Sequence, residues 1–162
     1  MLCGISMSNN LKWCVRLKDG LKFIKPDELI SKSYMQEAKA SLKRAQTNFA
    51  EKDLLWATVV IYYAEYYALY SFLQKIGIKC GNHTCSILAA EKLLGAEKIK
   101  IINDHKTKRI DAQYYMKIGK EGQVVQMLQE AKSFVAEFDS IVSNITNSEI
   151  EKYRNRLKMF LR

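Results

Sequence analysis

The chain has 162 residues, with 26 lysines and arginines against 17 aspartates and glutamates, a net charge of +9. Apolar residues make up 48% and charged residues 27%, which excludes wholesale disorder and suits one domain with a core of its own. One proline and seven glycines are too few for the turn-dense strands of a sandwich or barrel. So basic a chain suits a polyanion or an acidic protein, and solvated lysine-rich helix faces are the plainer reading.

Met1–Asn10 carries no basic residue and no long apolar run, so no secretory signal pattern is present. The expected location is therefore cytoplasmic. The four cysteines, Cys3, Cys14, Cys80 and Cys85, are expected to be mostly free thiols. Cys80, His83 and Cys85 supply three ligand types at close spacing, but a zinc site needs about four. No metal and no cofactor is expected.

Leu11, Trp13, Val15 and Leu17 alternate with polar positions, a pattern for a short strand, in a segment (1–26) expected to be an extension. Pro26-Asp27-Glu28 then opens a helix, with proline early and acids in the first turn. Tyr34, Ala38, Leu42, Ala45 and Phe49 give it an apolar stripe. Asp53 is placed to cap the next helix, Leu54 to about Ile76. That helix is apolar nearly all round and should be the central, most buried one, with Gly77 as its stop. Its length matches a membrane span, but Glu65 near the centre and five internal tyrosines argue for a protein core. Buried tyrosines need hydroxyl partners, so some should face a cleft or an interface.

After a loop at Cys80–His83, Thr84 can cap a helix that ends near Gly95. A short apolar helix over 96–103 should follow, then a charged junction at Asp104–Lys108 and a helix from Arg109 to Ile118. A long amphipathic helix runs from Gln123 to about Asn147. Residues 149–162 form a basic tail with Lys152, Arg154, Arg156 and Lys158, itself a candidate helix. The expected fold is all-α, an up-and-down bundle of about five helices over 27–148.

Several segments in this order resemble the HEPN family of prokaryotic helical domains. They are Ala38-Lys-Ala-Ser-Leu42-Lys-Arg-Ala45, then Trp56-Ala57 with Tyr62-Tyr63-Ala64-Glu65-Tyr66-Tyr67-Ala68. His83 follows soon after Gly77. Arg109-Ile-Asp-Ala112-Gln-Tyr114 is similar to the Arg-x-x-Ala-x-Tyr signature of one HEPN subgroup. The resemblance implies a homodimer that pairs with a small nucleotidyltransferase in a toxin–antitoxin-like module. Active ribonucleases of the family carry an arginine, then four to six residues, then a histidine. Here that position after Arg109 is occupied by Tyr114, a poor general base near its usual pKa of about 10.

The expected function is therefore nucleotide or RNA binding. A metal-independent endoribonuclease using Arg109 with His83 or His105, and a structural dimer without nucleic acid, are the competing readings. Candidate contacts are Arg109, Tyr114, His83, Lys106, Lys108 and Tyr66. Each has a plain alternative. Arg109 could pair with Asp111, Glu97 or a tyrosine hydroxyl. His83 could simply cap a helix, His105 could be a solvated junction residue, and Tyr66 could be core. The lysines could be ordinary surface.

Overall fold

The computed structural model describes residues 7–162, with side chains from Leu11 onward. Its elements are α1 (Met7–Arg16), β1 (Lys22–Phe23), α2 (Glu28–Ala50), α3 (Leu54–Lys75), β2 (Ile78–Lys79), α4 (His83–Leu94), α5 (Ala96–Tyr115), α6 (Glu121–Asn144) and α7 (Asn147–Leu161). The fold is all-α, with seven described helices rather than about five. No described helix is long and apolar enough to cross a membrane.

The caps explain most of the boundaries. The Asp27 carboxylate accepts from Ile30 N at 2.9 Å and opens α2. Asp53 does the same for α3, accepting from Trp56 N at 3.1 Å. Thr146 and Glu149 form a reciprocal capping box at the start of α7. For α4 the cap is Asn82, which accepts from Cys85 N at 3.0 Å, and Thr84 lies inside the helix.

α3 runs through the middle of the bundle, packed by α2, α5 and α6. Tyr62, Leu69 and Phe72 on α3 are fully enclosed, with Phe138 of α6 and Ile99 and Ile102 of α5. A second apolar group joins Ala57 and Ile61 of α3 to Val124, Met127 and Leu128 of α6. Such a helix has no polar face to show, which is why its sequence reads as apolar all round.

Three expectations are corrected. Leu11–Leu17 is not a strand; α1 is a helix with Leu11 and Cys14 buried and Trp13 and Val15 exposed. The alternation in so short a run fits both periods, and the buried pair at i and i+3 decides for the helix. The charged stretch Asp104–Lys108 is not a junction. α5 continues through it, because Ile99, Ile102, His105 and Ala112 keep one face inward while Asp104 and Lys108 pair outside at 2.9 Å. α5 then ends at Tyr115, with Met116 in the left-handed region at φ 55°.

The cysteines are not mostly free thiols. Cys14 and Cys85 form a disulfide that ties α1 to the start of α4, 71 residues away, while Cys80 is a buried free thiol. Cys3 lies outside the described residues. Because Cys85 is bonded to sulfur, Cys80, His83 and Cys85 do not form a metal-ligand set.

The basic tail is a docked helix, and two of its arginines satisfy backbone. Arg154 Nη1 donates to Ile24 O, Ile76 O and Gly77 O at 2.8–3.0 Å. Arg156 Nη1 donates to Leu93 O at 3.3 Å. The carbonyls of Ile76, Gly77 and Leu93 lie at the C-terminal ends of α3 and α4, where a cation also meets the negative end of the helix dipole, and that of Ile24 follows β1. Part of the +9 charge is thus structural.

Candidate phosphate-binding site

The site grows from a ladder of tyrosines on α3. Tyr62, Tyr66 and Tyr70 recur at four residues and are all buried. Their hydroxyls reach one short stretch of chain: Tyr62 Oη lies 3.0 Å from His83 Nδ1, Tyr66 Oη 3.1 Å from Ser86 Oγ, and Tyr70 Oη accepts from Cys80 N at 3.1 Å. Buried hydroxyls require such partners, and here they fix the Cys80–Ser86 segment and with it the first turn of α4.

His83 is consequently held on two sides. Its ring stacks on Tyr66 at 3.7 Å between centroids and 15° between planes. Burial lowers its pKa, and the nearby charges of Arg109 and Lys106 lower it further. The ring is neutral at neutral pH. Burial also raises the Tyr62 hydroxyl pKa, so that hydroxyl keeps its proton. The 3.0 Å contact engages His83 Nδ1 with the Tyr62 hydroxyl, and Nε2 is the second polar atom of the ring.

α5 supplies the opposite wall. The Arg109 guanidinium carbon lies 4.9 Å from the Tyr62 ring centroid, 5.9 Å from that of Tyr63 and 6.0 Å from that of Tyr114. Its Nη1 donates to Gln113 Oε1 at 3.1 Å, and its buried Nε has no partner. One turn earlier, Lys106 Nζ donates to Thr84 Oγ1 at 2.6 Å and so bridges α5 to α4. Burial lowers the Lys106 pKa and the Arg109 charge lowers it further. Among the described residues neither cation makes an ion pair, and the expected alternatives for Arg109, Asp111 and Glu97, are not its partners.

The candidates therefore divide. Arg109, Lys106 and His83 converge, and Tyr114 lies beside them, exposed at 67%. Tyr66 is 6% exposed and serves as the floor under His83. Lys108 pairs with Asp104 and lines a separate depression with Asp111 and Lys117.

His105 is the largest departure. It is fully buried, not solvated, with Nδ1 2.7 Å from Glu65 Oε1 and Nε2 2.8 Å from Glu130 Oε2. Desolvation pulls its pKa down, but the two carboxylates outweigh that and raise it. Burial pushes Glu65 up to about 7, with the His105 contact acting against it. With both ring nitrogens engaged and no exposure, His105 cannot reach a bound substrate. Glu65 was visible in sequence only as a charge in the middle of the apolar helix.

In comparisons with known proteins, no family model, no curated protein and no solved structure matches this chain.

Proposed function

We propose that this protein is a HEPN-like module that binds a nucleotide or RNA through phosphate at Arg109, Lys106 and His83. One observation carries the reading. Two half-buried cations from α5 lie side by side, burial and then the Arg109 charge depressing the Lys106 pKa, and neither has an acidic partner among the described residues. Like charges held together out of water are costly, and a phosphate between them reverses the sign of that interaction. His83 adds a neutral imidazole on the α4 side, and Tyr114 adds an exposed aromatic face on which a base can stack.

The chemistry favours binding over cleavage. A general base needs a free nitrogen that accepts a proton, and His83 Nδ1 is already engaged with the Tyr62 hydroxyl. His105, the other candidate base, is enclosed. The family resemblance adds the assembly to the proposal, a homodimer acting with a small nucleotidyltransferase.

The test is a titration of nucleoside triphosphates and short single-stranded RNAs against the wild-type protein and Arg109→Ala. The expected result is saturable wild-type binding, weakened at least about tenfold by the substitution, as for loss of a charged hydrogen bond. Equal affinity of the two proteins overturns the assignment of the site. Absence of wild-type binding to either ligand class overturns the function.

A further inference from the structure

Beneath the site, α3 and α5 make two successive contacts. Tyr62 meets Arg109, and one turn further along α3, Glu65 meets His105, one turn back along α5. The helices run antiparallel here, so these are neighbouring rungs of one ladder. The lower rung extends through His105 Nε2 to Glu130 of α6, whose side chain is partly exposed at a 350 Å³ cleft between α5 and α6. The other Glu130 oxygen accepts from Gln126 Nε2 at 3.0 Å.

Two nitrogen–oxygen contacts of 2.7 and 2.8 Å need a proton in each. Two arrangements supply them. One is an imidazolium between two carboxylates. The other is a neutral imidazole that donates to one glutamate and accepts from the carboxylic acid of the other. Both hold two protons and carry a net single negative charge. Removing one proton leaves lone pair facing lone pair across one contact, with a second negative charge beside the core. The charged and titratable groups around the cluster are Tyr62 and Glu65 from α3, Asp104 with its partner Lys108 from α5, and Glu130 from α6, whose cleft also holds Glu97, Lys98 and Glu137; both nearby lysines are already paired, Lys108 with Asp104 and Lys98 with Glu137. Glu65 Oε2 is buried without a partner, so an ionised Glu65 has an oxygen with nothing to accept from.

We propose that Glu65, His105 and Glu130 form a two-proton strut that positions Arg109 over Tyr62, so that the phosphate site is linked to a proton held one helical turn below it. Glu65 and His105 are positioning residues: they touch no ligand and act through the placement of α5. Loss of the second proton loosens the α3–α5 ladder and lets the guanidinium leave the tyrosine face. The ligand in this statement rests on the phosphate-binding reading, but the strut itself does not. Glu130 supplies the route for exchange with solvent, since it alone of the three is exposed.

The decisive variant is Glu65→Gln. Its amide N–H can donate to His105 Nδ1 as the carboxylic acid does, but it has no proton to lose. Arginine side-chain N–H resonances, with Arg109 assigned by Arg109→Lys, are followed from about pH 6 to about pH 8.5, spanning the usual histidine range. The Arg109 Nε–H resonance is expected to shift through neutrality in the wild type and to stay at its acidic position in Glu65→Gln. A resonance that does not move in the wild type, or moves equally in both proteins, overturns the strut. Should Glu65→Gln fail to fold, the double variant Glu65→Gln with His105→Gln, which removes both the buried carboxyl and the imidazole, is read the same way. As a second arm, affinity for a fluorescein-labelled oligouridylate at constant ionic strength should fall about tenfold over that range in the wild type and stay flat in Glu65→Gln. If the wild type does not bind oligouridylate at any pH, the phosphate reading is what fails, and the resonance arm alone judges the strut.

Discussion

The guanidinium of Arg109 lies 4.9 Å above the ring of Tyr62, and the hydroxyl of that same tyrosine lies 3.0 Å from His83. One buried side chain of α3 thus touches both walls of the site. Arg109→Lys keeps the charge but loses the planar stack and the fork of donors. It is expected to retain the fold and to weaken phosphate-ligand affinity, with a smaller loss than Arg109→Ala. Isothermal titration beside a thermal melt checks both halves.

Removing His105 leaves Glu65 enclosed without its only hydrogen-bond partner. His105→Ala is therefore expected to destabilise the protein by about 3–5 kcal/mol, the usual cost of breaking a buried charged pair. Denaturant unfolding measures it. A loss under about 1 kcal/mol would show that Glu65 finds another partner or stays protonated at little cost.

The pH dependence of stability has a definite sign. Glu65 and His105 both have pKa values raised in the folded state, Glu65 to about 7. Folding therefore takes up protons there. That stability is fully present below the usual carboxylate and histidine values and is lost as pH rises through neutrality. Glu149, lowered chiefly by the Thr146 backbone N–H, acts in the opposite sense and loses its contribution as the solution becomes acidic. Unfolding free energy should peak on the mildly acidic side of neutrality and fall towards alkaline pH, and Glu65→Gln should flatten the alkaline side.

Gly77 has φ of +75°, and a Cβ on it would run into Arg154 and the carbonyl of Ile24. Gly77→Ala therefore incurs both backbone strain and the loss of the Arg154 bonds, and is expected to cost about 2–4 kcal/mol. Reducing the Cys14–Cys85 disulfide, which spans 71 residues, should cost about 2–5 kcal/mol. Thermal melts with and without a reductant measure the second, and α1 should be the first element to gain amide exchange.

Much of the fold is legible in the sequence. The all-round apolar character of Leu54–Lys75, the helix opening at Pro26-Asp27-Glu28, the cap at Asp53 and the amphipathic α6 follow from local rules that tertiary packing did not override. The continuity of α5 was hidden because Asp104–Lys108 is polar in composition. Only His105, a polar residue on the inward face, carries the stripe between Ile102 and Ala112. Arg109, His83 and Lys106 are singled out as candidates by residue type and the order of motifs, and the structure brings them near one another. Glu65, His105 and Glu130 lie 40 and 25 residues apart, and no spacing rule joins such positions. The signal was the single acid in an apolar helix, a charge that cannot be buried without a partner. The disulfide was missed because expected location, not geometry, decided the cysteine reading.

Tyr114 is exposed beside Arg109 and contributes nothing to the core. Tyr114→Ala is expected to leave the melting temperature unchanged and to weaken single-stranded RNA by about 1–3 kcal/mol, the range for one base stacked on an aromatic ring. Inorganic pyrophosphate, which has no base, should bind both proteins alike.

The most direct test of phosphate contact at Arg109 is the salt dependence of oligouridylate binding in wild type and Arg109→Ala. The wild type should lose affinity linearly in log Kd against log salt, and Arg109→Ala should show a slope smaller by about 0.7, one phosphate contact on a single strand. An unchanged slope would contradict the account, because it would mean that the arginine over Tyr62 never meets a phosphate.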